Sequence, residues 1–271
     1  MSNRLLVKTG LVLSAIMSFW STVVNSAPLH KDVLRILFIG NSYTFVNDLP
    51  KMLAVLSKYE DTPIVDEQIT EGGATLKQHW LKGKAVQAIQ SGQWDYVVLQ
   101  EQSTLGPTQT QNGVLPIHSP EDFYHYARLF DAQIKQAKAR TIFYLTWARK
   151  NAPQNQAILN RAYLTTAWDL NAIVAPVGVA WARVQAETSK IALYQSDQSH
   201  PTAKGTYLAA CIFYATIYNK KPSNIPFDDI IRNIGIDAAE ASYLHEVAWQ
   251  TVSEFPPLTP ELYMPFVKMN N

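Results

Sequence analysis

Apolar positions along the chain follow two alternating rhythms. Short apolar or β-branched runs recur at Leu34 to Ile39, Ile64 to Ile69, Tyr96 to Leu99, Thr141 to Thr146 and Ile173 to Val177. Their length and composition predict strands of a parallel sheet covered on both faces. Between them, apolar residues return at helical spacing. Asp48-Leu49-Pro50 supplies an N-cap and a first-turn proline, and Met52, Leu53, Leu56 and Tyr59 follow at helix intervals. One helix is expected from Leu76 to Gln90, carrying apolar Leu81, Ala85 and Ile89, and others from Pro120 to about Ala139 and from Asn155 to Leu170. Two more are expected, from Thr202 to Tyr218 and from Asp237 to about Ser253, before a proline-rich tail. Strand and helix in alternation predict an α/β fold of three layers, with helices on both faces of a mainly parallel sheet. Ligands in such sheets bind at the carboxyl ends of the strands. The loops beginning at Gly40, Glu71, Gln100, Trp147 and Gly178 are therefore expected to face one another.

Composition narrows the class. The 271 residues are 47% hydrophobic and 17% charged, which suits one globular domain with a sizeable core. A formal net charge of +1 and the lack of any block of like charges argue against nucleic-acid binding and leave a small-molecule or glycan substrate. Arg4 and Lys8 followed by the apolar run Leu11 to Val24 read as a signal peptide over residues 1–26, cut after Ser26. A single domain over residues 27–271 and export to the periplasm or the exterior are expected. Retention of the segment as a membrane anchor is the alternative. The lone cysteine, Cys211, lies in an apolar stretch and reads as a buried structural thiol.

The candidate chemistry lies in loops. Gly40-Asn41-Ser42 follows the first strand directly, so Ser42 falls at the carboxyl edge of the sheet. Backbone N–H groups beside it can stabilise charge developing on an attacked carbonyl; by itself the serine could equally cap the next helix. A second cluster, Asp197-Gln198-Ser199-His200-Pro201, changes that balance. An Asp three residues before a His can accept its Nδ1 proton across a turn and leave Nε2 free for a serine. Alternatively His200 bonds the backbone and Asp197 forms a plain turn. Spacing of the six histidines gives no metal-site pattern, and no phosphate loop or dinucleotide fingerprint is present, so no metal or cofactor is implied.

Gly40-Asn41-Ser42, Gly72-Gly73 and Asp197-x-x-His200-Pro201, in that order, resemble the first, second and fifth sequence blocks of the SGNH/GDSL hydrolase superfamily. The resemblance implies a flavodoxin-like three-layer α/β/α sandwich and ester hydrolysis by a Ser42-His200-Asp197 triad. It also implies an oxyanion hole that includes the N–H groups of Ser42 and of Gly73, with Gly72 as the alternative to Gly73. The third block departs from the family pattern: Gln100-Glu101-Gln102 stands where relatives commonly carry an asparagine, and looks like the glutamine-bearing loop of carbohydrate acetylesterase branches. Gln100 is the expected side-chain donor, with Gln102 as the alternative. Asn41 is read as a turn former, and Glu101 as a surface salt-bridge partner with binding of a substrate hydroxyl as the alternative. Tyr43, Trp80 and Trp147 are possible sugar-stacking surfaces or core residues, and Arg149 either a carboxylate-recognising group or a solvated charge. An O-acetylated glycan is the first substrate expectation. Lipid or thioester hydrolysis, acyl transfer and non-catalytic carbohydrate binding are the alternatives.

Overall fold

The computed structural model describes residues 32–108, 116–188, 190–223 and 233–255. The expected signal peptide and the proline-rich tail beyond residue 255 lie outside them. Strands β1 (Leu34–Gly40), β2 (Ile64–Thr70), β3 (Tyr96–Leu99), β4 (Arg140–Tyr144) and β5 (Ile173–Ala175) form one sheet in the order β2-β1-β3-β4-β5. Every pairing is parallel, and the order is the flavodoxin-like one.

Successive side chains of a strand point to opposite faces, so β1 serves two cores at once. Ile36 and Phe38 join one apolar cluster while Leu37 and Ile39 join the other, and all four are fully buried. The first cluster is closed by α2 (Leu49–Leu56), α7 (Val177–Glu187), α8 (Ala203–Tyr218) and α9 (Ala238–Ser253). The second is closed by α3 (Leu76–Lys82), α4 (Lys84–Ser91), α5 (Glu121–Gln136) and α6 (Asn155–Leu170). A further short helix, α1 (Ser42–Phe45), follows β1 directly.

Three expectations are corrected. The helix expected from Leu76 to Gln90 is two helices, because Gly83 adopts a left-handed φ of 75° and redirects the chain. Ala85 and Ile89 remain buried beyond the break, whereas Leu81 before it is 69% exposed. Strand β4 stops at Tyr144 rather than at Thr146. The last strand stops at Ala175, and Val177 opens α7 where a strand end and a loop were expected. Gly178 therefore belongs to a helix that packs closely on the sheet edge: a Cβ there would stand 2.2 Å from the Thr146 carbonyl oxygen. Of the five loops expected at the carboxyl edge, those beginning at Gly40, Glu71, Gln100 and Trp147 do contribute to one cleft.

Candidate active site

Ser42 opens α1 immediately after β1. Asn41 caps this helix, its Oδ1 accepting from the Tyr43 N–H at 3.1 Å while its Nδ2 donates to the Ala74 carbonyl at 3.0 Å. One side chain thus fastens the serine turn to the Gly72-Gly73 loop. Gly40 is demanded by space: a Cβ would meet Gln100 Oε1 at 2.5 Å and Thr44 Oγ1 at 2.7 Å. His79 donates from Nε2 to the Gly40 carbonyl at 2.7 Å, and burial depresses its pKa, so it stays a neutral structural donor.

His200 arrives on the loop between α7 and α8. Its Nε2 lies 2.8 Å from Ser42 Oγ, and its Nδ1 is hydrogen-bonded to Asp197 Oδ2. The other carboxylate oxygen, Oδ1, accepts from the N–H groups of Ser199 at 3.0 Å and His200 at 2.9 Å. Desolvation pushes the Asp197 carboxyl up, but the bonds from His200 and from these backbone groups outweigh it and hold the pKa at about 2. An ionised Asp197 keeps the imidazole proton on Nδ1 and turns the Nε2 lone pair toward the serine hydroxyl. The loop is docked by Trp147, whose Nε1 donates to the Ser199 carbonyl at 3.0 Å. Asn47 Nδ2 reaches the Pro201 carbonyl at 3.1 Å and Thr206 Oγ1 at 2.9 Å.

Ser42 and His200 open onto a cleft of about 670 Å³ whose wall also includes Gly72, Gly73, Gln102, Thr108 and Arg149. Gly73 has a φ of 69°, a conformation that favours glycine, so its conformational role and its place at the cleft coexist. Neither the Ser42 nor the Gly73 N–H is spent in a hydrogen bond among the described residues.

The two glutamines of the third loop have different positions, and the expectation for Gln100 is corrected. Gln100 is 0% exposed, and its Oε1 accepts from the Asn41 N–H at 2.8 Å and from Thr44 Oγ1 at 2.9 Å. Its Nε2 donates to the Glu101 carbonyl at 2.8 Å, so the amide is bonded at both its oxygen and its nitrogen and is buried behind the serine turn. Gln102 lines the cleft instead. Its Oε1 accepts from the Thr104 N–H at 2.7 Å and from two hydroxyls. Because a backbone N–H can only donate, the atom facing it must be the oxygen. The amide nitrogen of Gln102 is left as an available donor, without a partner among the described residues.

Glu101 is likewise not a surface ion-pair partner. It is buried, with Oε2 accepting from the Leu76 N–H at 3.0 Å and Oε1 from the Gln102 N–H at 2.6 Å, and burial raises its pKa to about 7. Trp147 offers no sugar platform, because both indole faces are covered. Tyr43 stacks on one at a centroid distance of 4.4 Å and Trp181 on the other at 3.8 Å. Tyr43 touches the cleft but is only 3% exposed, with its hydroxyl hydrogen-bonded to Ser199 Oγ at 2.8 Å. Trp80 packs edge-on against Phe130 in the opposite core. Phe45, Val46 and Gln195 complete the cleft, and no periodicity or motif marks them in the sequence.

No family model and no curated protein matches this sequence. Solved structures do. A candidate SGNH hydrolase from Slackia heliotrinireducens is 28% identical over 68% of this chain and 99% of its own, with a TM-score of 0.56. A DUF4886 family protein from Bacteroides uniformis superposes at a TM-score of 0.64 with 16% identity, covering 84% of this chain and 98% of its own. An acetylxylan esterase from Geobacillus stearothermophilus shares the fold at a TM-score of 0.51 and 15% identity, over 77% of this chain and 97% of its own. Its sheet order, its sequence blocks and these likenesses taken together make the chain similar to the SGNH/GDSL hydrolases in fold and in the order of those blocks.

Proposed function

We propose that this protein is an exported esterase in which Ser42 is the nucleophile, His200 the general base and then acid, and Asp197 the group that orients His200. The observation that carries this reading is the unbroken hydrogen-bond relay from Ser42 Oγ through both nitrogens of His200 to Asp197. Ser42 Oγ attacks the ester carbonyl carbon while His200 Nε2 takes its proton. The tetrahedral oxyanion is held by the N–H groups of Ser42 and Gly73 and by the Gln102 amide. Collapse breaks the bond to the alcohol, which leaves with the proton returned from His200. Water, deprotonated by the same nitrogen, then releases the acyl group from Ser42.

The substrate is an O-acetylated glycan. In support, Gln102, Thr108, Arg149 and Gln195 bring amide, hydroxyl and guanidinium groups to a cleft whose exposed surface is otherwise mainly apolar, Phe45 and Val46 included. Such a mixed lining offers hydrogen-bond partners to a sugar and apolar contact to a short acyl group. The acetylxylan esterase of the same fold is consistent with this, and the targeting pattern of residues 1–26 supports export.

Hydrolysis of p-nitrophenyl acetate by the purified protein tests the chemistry. Activity should vanish in Ser42→Ala with an unchanged circular dichroism spectrum, and equal activity in both proteins would refute the assignment. Acetate should be turned over faster than butyrate and longer esters, and acetate release from acetylated xylan should depend on Ser42. Mass analysis of the protein secreted by an expressing host should place its first residue at Ala27.

A further inference from the structure

We infer that the substrate of this site carries a carboxylate, which Arg149 recognises. The inference rests on the ester-hydrolase reading and extends it to the charge of the substrate. Arg149 is the one Asp, Glu, Lys or Arg among the described residues of the cleft wall. Its Nε is sealed from solvent without a hydrogen-bond partner, and no carboxylate pairs with its guanidinium among the described residues. The field of Arg149 reaches the Tyr43 hydroxyl, as does that of Asp197. The Asp197 oxygens, however, are committed to His200 and two backbone N–H groups.

The guanidinium is also held in place relative to the reacting groups. Lys150 N–H donates to the Gln198 carbonyl at 2.9 Å, and the Tyr194 hydroxyl donates to the Ala148 carbonyl at 2.7 Å, so the backbone on either side of Arg149 is tied to the His200 loop. Gln156 adds a third tie, its Oε1 accepting from the Ala148 N–H at 2.7 Å. An unpaired arginine with little backbone freedom, beside a serine and a histidine, gains most from a planar anion that can accept two parallel N–H bonds. A single guanidinium with no second Lys or Arg among the described residues of the wall matches the one charge of a carboxylate better than the two of a phosphate monoester.

The carboxylate can belong to the alcohol moiety, as in an acetylated sugar acid, or to the acyl moiety, as in a dicarboxylic hemiester. Two matched pairs distinguish them: O-acetylated glucuronate against its glucuronamide, and p-nitrophenyl hydrogen succinate against p-nitrophenyl methyl succinate. In one of the two pairs the wild type should favour the anionic ester by about ten-fold in kcat/KM at low ionic strength. Arg149→Gln should bring that ratio near one, Arg149→Lys should keep part of it, and added salt should shrink it. Ratios near one in both pairs for the wild type, or a ratio that Arg149→Gln leaves unchanged, would overturn the inference while leaving the esterase reading intact.

Should the wild type release no p-nitrophenol from p-nitrophenyl acetate, the esterase reading fails first, and the inference is then read as binding. Calorimetry on Ser42→Ala protein should show glucuronate binding and no glucuronamide binding, with the former lost when Arg149→Gln is added. Equal binding of the two would overturn it.

Discussion

The loop after β3 and the loop before α8 both bring polar residues to the same cleft, yet they are held in opposite ways. In the second, Asp197 organises its own turn by accepting from Ser199 and His200, residues two and three positions on. In the first, Gln100 takes its hydrogen bonds from Asn41 and Thr44, more than fifty residues away, and Glu101 takes one from Leu76. The His200 loop is a partly exposed local device docked onto the domain, whereas the glutamine loop is a buried junction in which three sheet-edge loops meet. Reactivity can be concentrated in the His200 loop because its geometry survives exposure. Stability is concentrated in the glutamine loop, because a buried polar group left without its partner costs far more than an exposed one.

Four substitutions break or sharpen this contrast. Asp197→Asn should have the largest effect, lowering kcat/KM on p-nitrophenyl acetate by roughly ten-thousand-fold, because an amide no longer holds the Nδ1 proton of His200 in place. Its urea midpoint should move little, since the turn is exposed; a large loss of stability with near-normal turnover would reverse the account of this loop. Gln102→Leu should come next, costing about 10² to 10³ in kcat with KM nearly unchanged, the effect of removing one oxyanion donor.

Gln100→Leu should act on stability instead. It strands the Asn41 N–H and the Thr44 hydroxyl in the core, and urea unfolding should show a loss of about 3 kcal/mol. If Gln100→Leu behaved as a catalytic variant of unchanged stability and Gln102→Leu were silent, the two roles would have to be exchanged. The smallest effect belongs to Glu101. Burial raises its folded pKa from 4.5 to about 7, so between these values the folded state binds more protons than the unfolded one. Its contribution is therefore fully present below about pH 4.5 and is lost as pH rises through about 7. The stability of Glu101→Gln relative to wild type should accordingly improve by about 2 kcal/mol between pH 4.5 and pH 7.5, and a difference independent of pH would count against the buried carboxyl.

How legible these features were depends on the range of the interactions behind them. The serine beside β1 could be placed because a short apolar run followed by Gly40 and Asn41 fixes where a strand ends. Gly83 was the visible breaker inside the expected helix of residues 76–90, but a lone glycine does not reveal that it will turn left-handed until the faces on either side have packed. Helix α7 was missed because Val177 continues the apolar run of β5, and only packing on Thr146 shows that the chain has already turned into a helix. The three-aromatic stack of Tyr43, Trp147 and Trp181 draws on positions scattered over three loops and helices, with no common spacing to announce it.

By itself, then, the sequence determined the alternation that builds the parallel sheet, the edge of that sheet at which Ser42 stands, and the short-range turn that joins Asp197 to His200. Each of these follows from neighbours a few residues apart, where chain geometry leaves few choices. Only the tertiary structure decided which glutamine is spent inside and which keeps a free amide, which aromatics are covered on both faces, and which arginine is left unpaired. Those outcomes depend on how donors and acceptors distant in sequence share one buried space, and that sharing exists only once the loops have met.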